Sequence, residues 1–305
     1  MNRYLSAIAV AFALWAGPAS AAALGIIGAD ALPDYIKKNN PVIVVATGGP
    51  GEGTLGYLTG AVAENELTWA GYSATQTQID DLGAWGTHIG DLGIDGTRPV
   101  LVYDDGGLKF ASRIRYLLAH YGVKTALLVN GGWAAIQPLV DAKKLTAQSN
   151  PSVALITRYT ARAVQPPIPI VPRKEVRAIV IPRTVLTVTL IDVRTPDEYT
   201  GKTVLKPGEK PGHIPGAINL PIADLFTTPT STMLQAPEAL ARTFKAHGIN
   251  PNTRLIFYCQ DGARSSLGAL AAKEAGFPRA DLYYLSFLDW QSDPKDPIVT
   301  GPRPY

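Results

Sequence analysis

The chain has 305 residues, enough for two domains of ordinary size, and 46% of them are apolar against 17% charged, the balance of a globular protein with a real core. The formal net charge is only +3 and no run of lysine or arginine stands out, which argues against a nucleic-acid partner. Gly and Pro are plentiful but not periodic, so collagen-like and low-complexity readings fail.

Met1-Asn2-Arg3 gives a short positive start, the stretch from Tyr4 to Gly17 is almost wholly apolar, Pro18 breaks it, and Ala19-Ser20-Ala21 is a small-x-small cleavage site. Residues 1–21 therefore read as a secretory signal peptide cut after Ala21. A membrane anchor is the rival reading, but the apolar run falls short of the ~20 residues a span needs, and no basic stop-transfer cluster follows. The mature protein is expected to be periplasmic or secreted, with no membrane attachment after cleavage. Exported proteins commonly use their cysteines in disulfides. This chain has a single one, Cys259, so that thiol is either buried and inert or chemically used.

Next in chain order come short apolar runs at 42–45, 100–103 and 126–129, then at 186–193, 255–258 and 282–284, all read as buried strands. Between them, 108–121 and 263–275 carry apolar residues at helical spacing, and Gly122 and Gly276 stand where a helix C-terminus favours left-handed backbone. Strands that are apolar throughout, alternating with helices, predict an α/β fold whose parallel sheets are flanked by helices. The pattern also repeats. Gly56-Tyr57-Leu58-Thr59-Gly60-Ala61-Val62 matches Gly212-His213-Ile214-Pro215-Gly216-Ala217-Ile218, and Gly93-Ile94-Asp95 matches Gly248-Ile249-Asn250. Asp104 ends an apolar run as far beyond Gly93 as Cys259 does beyond Gly248. The Pro-rich stretch from Gln165 to Pro172 reads as an extended, stiff connector. The expected organisation is one copy of a domain at 24–150, a linker at 151–176 and a second copy at 177–305.

Cys259 closes a strand and opens onto a helix through Gln260, Asp261, Gly262, Ala263, Arg264 and Ser265. Sites in open α/β sheets lie at such carboxyl ends of strands. The helix N-terminus offers free N–H groups and partial positive charge, a short loop can aim several amides at one spot, Gly262 permits the tight backbone, and Arg264 adds a fixed cation. All of these favour thiolate over thiol. A structural core cysteine is the bland alternative, but it has no need of Gly and Arg in the next turn.

The segment from Leu190 to Tyr199 (LIDVRTPDEY), then Gly212 to Pro221 (GHIPGAINLP), then the Cys259 loop, resembles a rhodanese domain in order and spacing. The first copy, with its Tyr103-Asp104-Asp105-Gly106-Gly107 loop and Val129-Asn130-Gly131-Gly132-Trp133, is similar to the cysteine-less domain of two-domain sulfurtransferases, where it forms one wall of the active cleft. The resemblance implies a tandem rhodanese-like protein and a two-step reaction. Cys259 takes the outer sulfur of a donor such as thiosulfate, sulfite leaves, and a thiophilic acceptor such as cyanide or a thiol removes the sulfur from the persulfide. The loop around the sulfur would then be the substrate- and persulfide-binding element. Cysteine-dependent phosphatases close a longer loop than the four residues between Cys259 and Arg264 here, which sets that chemistry lower.

Three departures from the family pattern bear on the donor. Gln260 and Asp261 stand where basic residues often follow the cysteine, and Asp261 should weaken binding of a dianion. Glu198 stands where many relatives carry a second substrate-binding arginine. A Gly-Gly pair is missing before Trp290, where the chain reads Leu285-Ser286-Phe287-Leu288-Asp289. Asp192 is expected to brace the loops near the site; Arg194 either shares that role or reaches the substrate anion. His213 is a candidate base, but in this motif it is expected to bond backbone and fix a turn. The four histidines are widely spaced and no Cys pair exists, so no metal and no cofactor is expected. The expected partners are a small sulfur donor and a thiophilic acceptor, with a sulfur-accepting protein as a further candidate and a monomer as the working state. The alternative of a different class is a persulfide carrier fed by a protein partner, with little turnover of small molecules.

Overall fold

The computed structural model of the protein describes residues 25–48, 55–162, 166–181 and 187–305. The expected signal peptide 1–21, Gln165 of the connector and Leu186 of an expected strand lie outside the described residues.

The first half contributes strands β1 (Ile26–Gly28), β2 (Val42–Thr47), β3 (Tyr57–Leu58), β4 (Val62–Asn65), β5 (Val100–Tyr103), β6 (Ala126–Asn130) and β7 (Ala147–Gln148). The second contributes β8 (Val188–Asp192), β9 (Ile218–Asn219), β10 (Arg254–Tyr258) and β11 (Ala280–Leu282). One sheet runs β1-β6-β5-β2-β4 and the other β11-β10-β8-β9, and every pairing within both is parallel. The short β3 and β7 pair antiparallel as a separate ribbon.

The strands expected from apolar runs are present, with one shift. The last was placed at 282–284, whereas the pairing strand is Ala280–Leu282, in register with Leu255–Phe257. Asp281 disguises it: a carboxylate in mid-strand breaks the apolar run, and it is held there by the Arg254 guanidinium at 2.5 Å. The connector is also more than a spacer. Ile170 bridges Leu282 in parallel and Val171 N–H donates to Leu282 O at 2.8 Å, so the end of the Pro-rich stretch adds to the edge of the second sheet. A helix, Arg173–Val180, follows at once, across the expected boundary at 176–177.

Two helices lie between the sheets. Lys109–His120 follows β5, Ala263–Glu274 follows β10, and they pack against each other. Both end as their glycines suggested: Gly122 and Gly276 have φ of +93° and +86°, and the next N–H in each case returns to a carbonyl in the last turn, Val123 to Leu118 and Phe277 to Ala272. Being covered on both sides, Ala263–Glu274 is buried over most of its length, and small residues let it approach the sheet; a Cβ on Gly268 would meet Val193 Cγ1 at 3.0 Å. One apolar core fills this middle layer and takes in residues of both halves, from Val44 and Trp85 to Phe257 and Cys259. Separate cores cover the outer face of each sheet, around Trp133 on the first and Trp290 on the second. Among the described residues, no helix is long and apolar enough to cross a membrane.

Candidate active site

Cys259 sits one residue past the end of β10 and is fully buried. Gly262 N–H donates to its Sγ at 3.2 Å, and Ser265 Oγ lies 3.5 Å from the same sulfur, its one proton within reach of both the sulfur and Gly262 O at 3.2 Å. Gly262 caps the following helix with φ of +101°, a left-handed value that turns its N–H toward the sulfur. Ala263 begins the helix and Ser265 lies in its first turn, so both donors belong to the helix N-terminus. The sulfur thus faces one amide, one hydroxyl and the positive end of a helix, a set of groups that stabilises an anion.

A second segment clamps the loop from behind. Phe287 N–H donates to Cys259 O at 3.1 Å, Leu288 N–H to Gln260 O at 2.9 Å, and Cys259 N–H to Ser286 Oγ at 3.1 Å. This accounts for the missing Gly-Gly. In the first half Trp133 and Ala134 N–H bond Asp104 O and Asp105 O in the same way, and Gly132 supplies a φ of +52°. In the second half Ser286 takes the equivalent left-handed place, at φ +60°, and its hydroxyl returns a bond to the cysteine that a glycine would not make.

The remaining residues expected at the site fall in different places. Gln260 turns inward, where its Oε1 accepts from Arg194 at 3.3 Å. Arg194 is 3% exposed and is held by Asp192 at 2.7 Å, by Gly212 O at 2.8 Å and against the Phe287 ring at 4.1 Å. Its guanidinium links three segments beneath the loop, and Asp192 anchors it. His213 is buried, stacked on Tyr199 at 3.6 Å, with Nδ1 2.7 Å from Tyr199 O. Burial lowers its pKa, and it packs as a turn-fixing residue. Arg264 points its charge at Glu198 rather than solely at the sulfur, through two bonds of 2.7 and 2.8 Å. Burial would push the Glu198 carboxyl up, but Arg264 and the Thr195 amide and hydroxyl hold it down at about 2. Glu198, which the resemblance sets in place of a substrate-binding arginine, is therefore the partner of Arg264. The signal was present in Thr195-Pro196-Asp197-Glu198, a capping box with Pro at the first helical position, which fixes where that carboxylate lies.

Asp261 is the exposed member of the loop, its Oδ1 4.0 Å from Cys259 Sγ. It is met by Arg113, from the Lys109–His120 helix of the first half, at 2.9 Å, and the buried Glu66 holds the other side of that guanidinium at 2.6 Å. Neither Arg113 nor Glu66 belongs to a motif, and nothing in the spacing along the chain pairs them with the cysteine loop. The two halves also meet at Ser73 Oγ and Tyr284 OH, 2.6 Å apart.

The loop after β5 in the first half carries Asp104 where the loop after β10 carries Cys259, and its contacts are similar. Asp104 is buried, and its carboxylate accepts from Gly106, Leu108 and Ala111 N–H at 3.0, 3.0 and 3.2 Å. Leu108, at φ +59°, precedes its helix as Gly262 precedes the other, and its N–H reaches Asp104 as that of Gly262 reaches Cys259.

Residues 176–293 match the rhodanese-like domain family. The thiosulfate sulfurtransferase of Azotobacter vinelandii is 31% identical over 215 residues, covering 69% of this chain and 73% of the relative. The chain belongs to the rhodanese-type sulfurtransferase family. The thiosulfate sulfurtransferase of Pseudomonas aeruginosa is 30% identical over the same shares of the two chains. Among solved structures, YnjE superposes with a TM-score of 0.70 at 21% identity, over 91% of this chain and 68% of that one. Wild-type EanB gives 0.75 at 19%, over 91% and 69%, and these two establish likeness of fold. As a rhodanese-type sulfurtransferase, the protein carries its single cysteine at the strand-to-helix loop, where the Gly262 amide meets the sulfur.

Proposed function

We propose that this sulfurtransferase moves sulfane sulfur from a thiosulfate-like donor to a thiophilic acceptor through a persulfide on Cys259. The observation that carries this reading is the Gly262 N–H and Ser265 hydroxyl aimed at a buried sulfur at the head of a helix. The Cys259 thiolate attacks the outer sulfur of the donor, a new S–S bond forms, and the bond to the sulfonate breaks with its electron pair leaving on sulfite. The acceptor then attacks the outer sulfur and the thiolate is regenerated. No general base is needed for either step when the nucleophile enters as its anion, and the helix N-terminus offers stabilisation for the charge that the persulfide carries. The relatives in Azotobacter and Pseudomonas are named for thiosulfate, which supports that donor class here. Steady-state sulfite release and cyanide-dependent turnover by the parent protein and by Cys259→Ser test the reading; full turnover by the Ser variant would reject it.

A second reading is a persulfide carrier loaded by a protein partner. Asp261, with a carboxylate 4.0 Å from the sulfur, favours it by disfavouring a free dianion. Turnover with free cyanide or small thiols separates the two, since a carrier stalls once loaded. Either reaction takes place outside the cytoplasm on our reading of residues 1–21, which N-terminal sequencing of the exported protein checks.

A further inference from the structure

The Asp261–Gly262 peptide faces two ways. Its N–H donates to Cys259 Sγ at 3.2 Å, and its C=O accepts from Arg113 Nη2 at 3.0 Å. The two groups lie on opposite sides of one rigid plane, so fixing the carbonyl fixes the direction of the N–H. Gly262 at φ +101° can turn this plane over with little steric cost, because no Cβ resists it. Something outside the loop must hold it.

We propose that Arg113, contributed by the cysteine-less half, is a positioning residue that aims the Gly262 amide at the catalytic sulfur. The guanidinium is suited to it. It is 1% exposed, its Nε forms an ion pair with the buried Glu66 at 2.6 Å, and its Nη2 serves both the backbone carbonyl and the Oδ1 of Asp261. It lies over the Tyr284 ring at 5.8 Å from the centroid, and that ring is itself tied to the first half through Ser73. A fork with several donors in one plane can hold Glu66 and the peptide together, which a point charge cannot. A peptide whose carbonyl is bonded to a cation is also a stronger N–H donor. Asp261 then acts as the second point of grip for Arg113. The first half would thereby supply the orientation of the anion cradle.

The inference rests on Cys259 as the reacting group, and its test does not depend on which donor is used. The charges that face the sulfur region are Asp261, Arg113 with Glu66, Arg264 with Glu198, and Arg194 with Asp192 beneath the loop. Because the chain has one cysteine, the ultraviolet absorbance of its thiolate can be titrated in the full protein by subtracting the Cys259→Ser profile. The variant Arg113→Met/Glu66→Gln removes one charge of each sign, and Arg113→Gln alone is the second variant should the first fail to fold. In whichever is folded by circular dichroism, the thiolate midpoint is expected to rise by about one pH unit, roughly tenfold in proton affinity. Asp261→Asn keeps the carbonyl and removes a nearby negative charge, so its midpoint is expected to move the other way. Turnover in the Arg113 variants should fall about tenfold with KM within about twofold, since Arg113 is argued to act through the amide and not on the donor. A folded Arg113 variant whose thiolate titrates as in the parent overturns the proposal. Turnover by Cys259→Ser would instead overturn the sulfur-transfer reading.

Discussion

Glu198 and Arg264 form a two-pronged ion pair of 2.7 and 2.8 Å that ties the helix after β8 to the helix after Cys259. Both are largely buried, so removing one partner strands the other. Glu198→Gln is expected to destabilise the protein by about 2–4 kcal/mol, and Arg264→Met by a similar amount or more. The double variant should cost less than the sum, and a double-mutant cycle by urea unfolding gives the coupling. Additive losses would mean that the pair contributes no energy of its own.

The same pair sets an acid limit. With the Glu198 carboxyl held at about 2 in the fold, against an ordinary value of 4.5, its contribution is full above about pH 4.5 and fades as pH falls toward 2, a loss of about 3 kcal/mol. Asp104 acts in the opposite sense. Burial raises it to about 6 against the pull of three amides, so its share of stability declines as pH rises from about 4 to 6. Subtracting the stability profile of Glu198→Gln from that of the parent isolates the first effect. The difference should be flat above pH 5 and shrink below it; a difference that grows on acidification contradicts the pairing.

Gly262 has no room for a side chain. A Cβ there would sit 2.6 Å from Tyr284 O, on backbone already at φ +101°. Gly262→Ala is expected to cost about 2–4 kcal/mol and to turn the amide from the sulfur. Thermal melting and sulfite release measure the two consequences separately. An alanine variant with parental stability and rate would show that the loop has another conformation to work in.

Asp104→Ala should destabilise without touching the chemistry. It leaves the N–H groups of Gly106, Leu108 and Ala111 without their acceptor in a buried loop, an expected loss of about 2–5 kcal/mol. Sulfur transfer per folded molecule should stay within about twofold, because the carboxylate shares no partner with Cys259. A large fall in the rate of the folded variant would mean that the first half's loop takes part in the reaction.

Much of this was legible along the chain because it depends on local pattern. Apolar runs such as 100–103 and 255–258 gave the central strands, Gly122 and Gly276 gave the helix ends, and the Cys259-to-Arg264 spacing gave the loop. What escaped depends on contacts between distant segments. Ile170 joins the second sheet's edge from within a stretch whose prolines suggest only a connector. Arg113, paired with Glu66, meets the cysteine loop across the junction of the halves, where no periodicity connects them. Arg194 stayed open between bracing and anion contact because two of its partners, Gly212 and Gln260, come from other motifs than its own. Ser286 showed only as a missing glycine, although its left-handed backbone and hydroxyl fill that place.

The most direct test of the account is the intact mass of the purified protein before and after thiosulfate. It predicts a gain of one sulfur, about 32 Da, removed by cyanide or a thiol and absent from Cys259→Ser. A gain that persists in Cys259→Ser, or sulfite released by the parent protein with no sulfur ever held on it, would contradict transfer through a Cys259 persulfide.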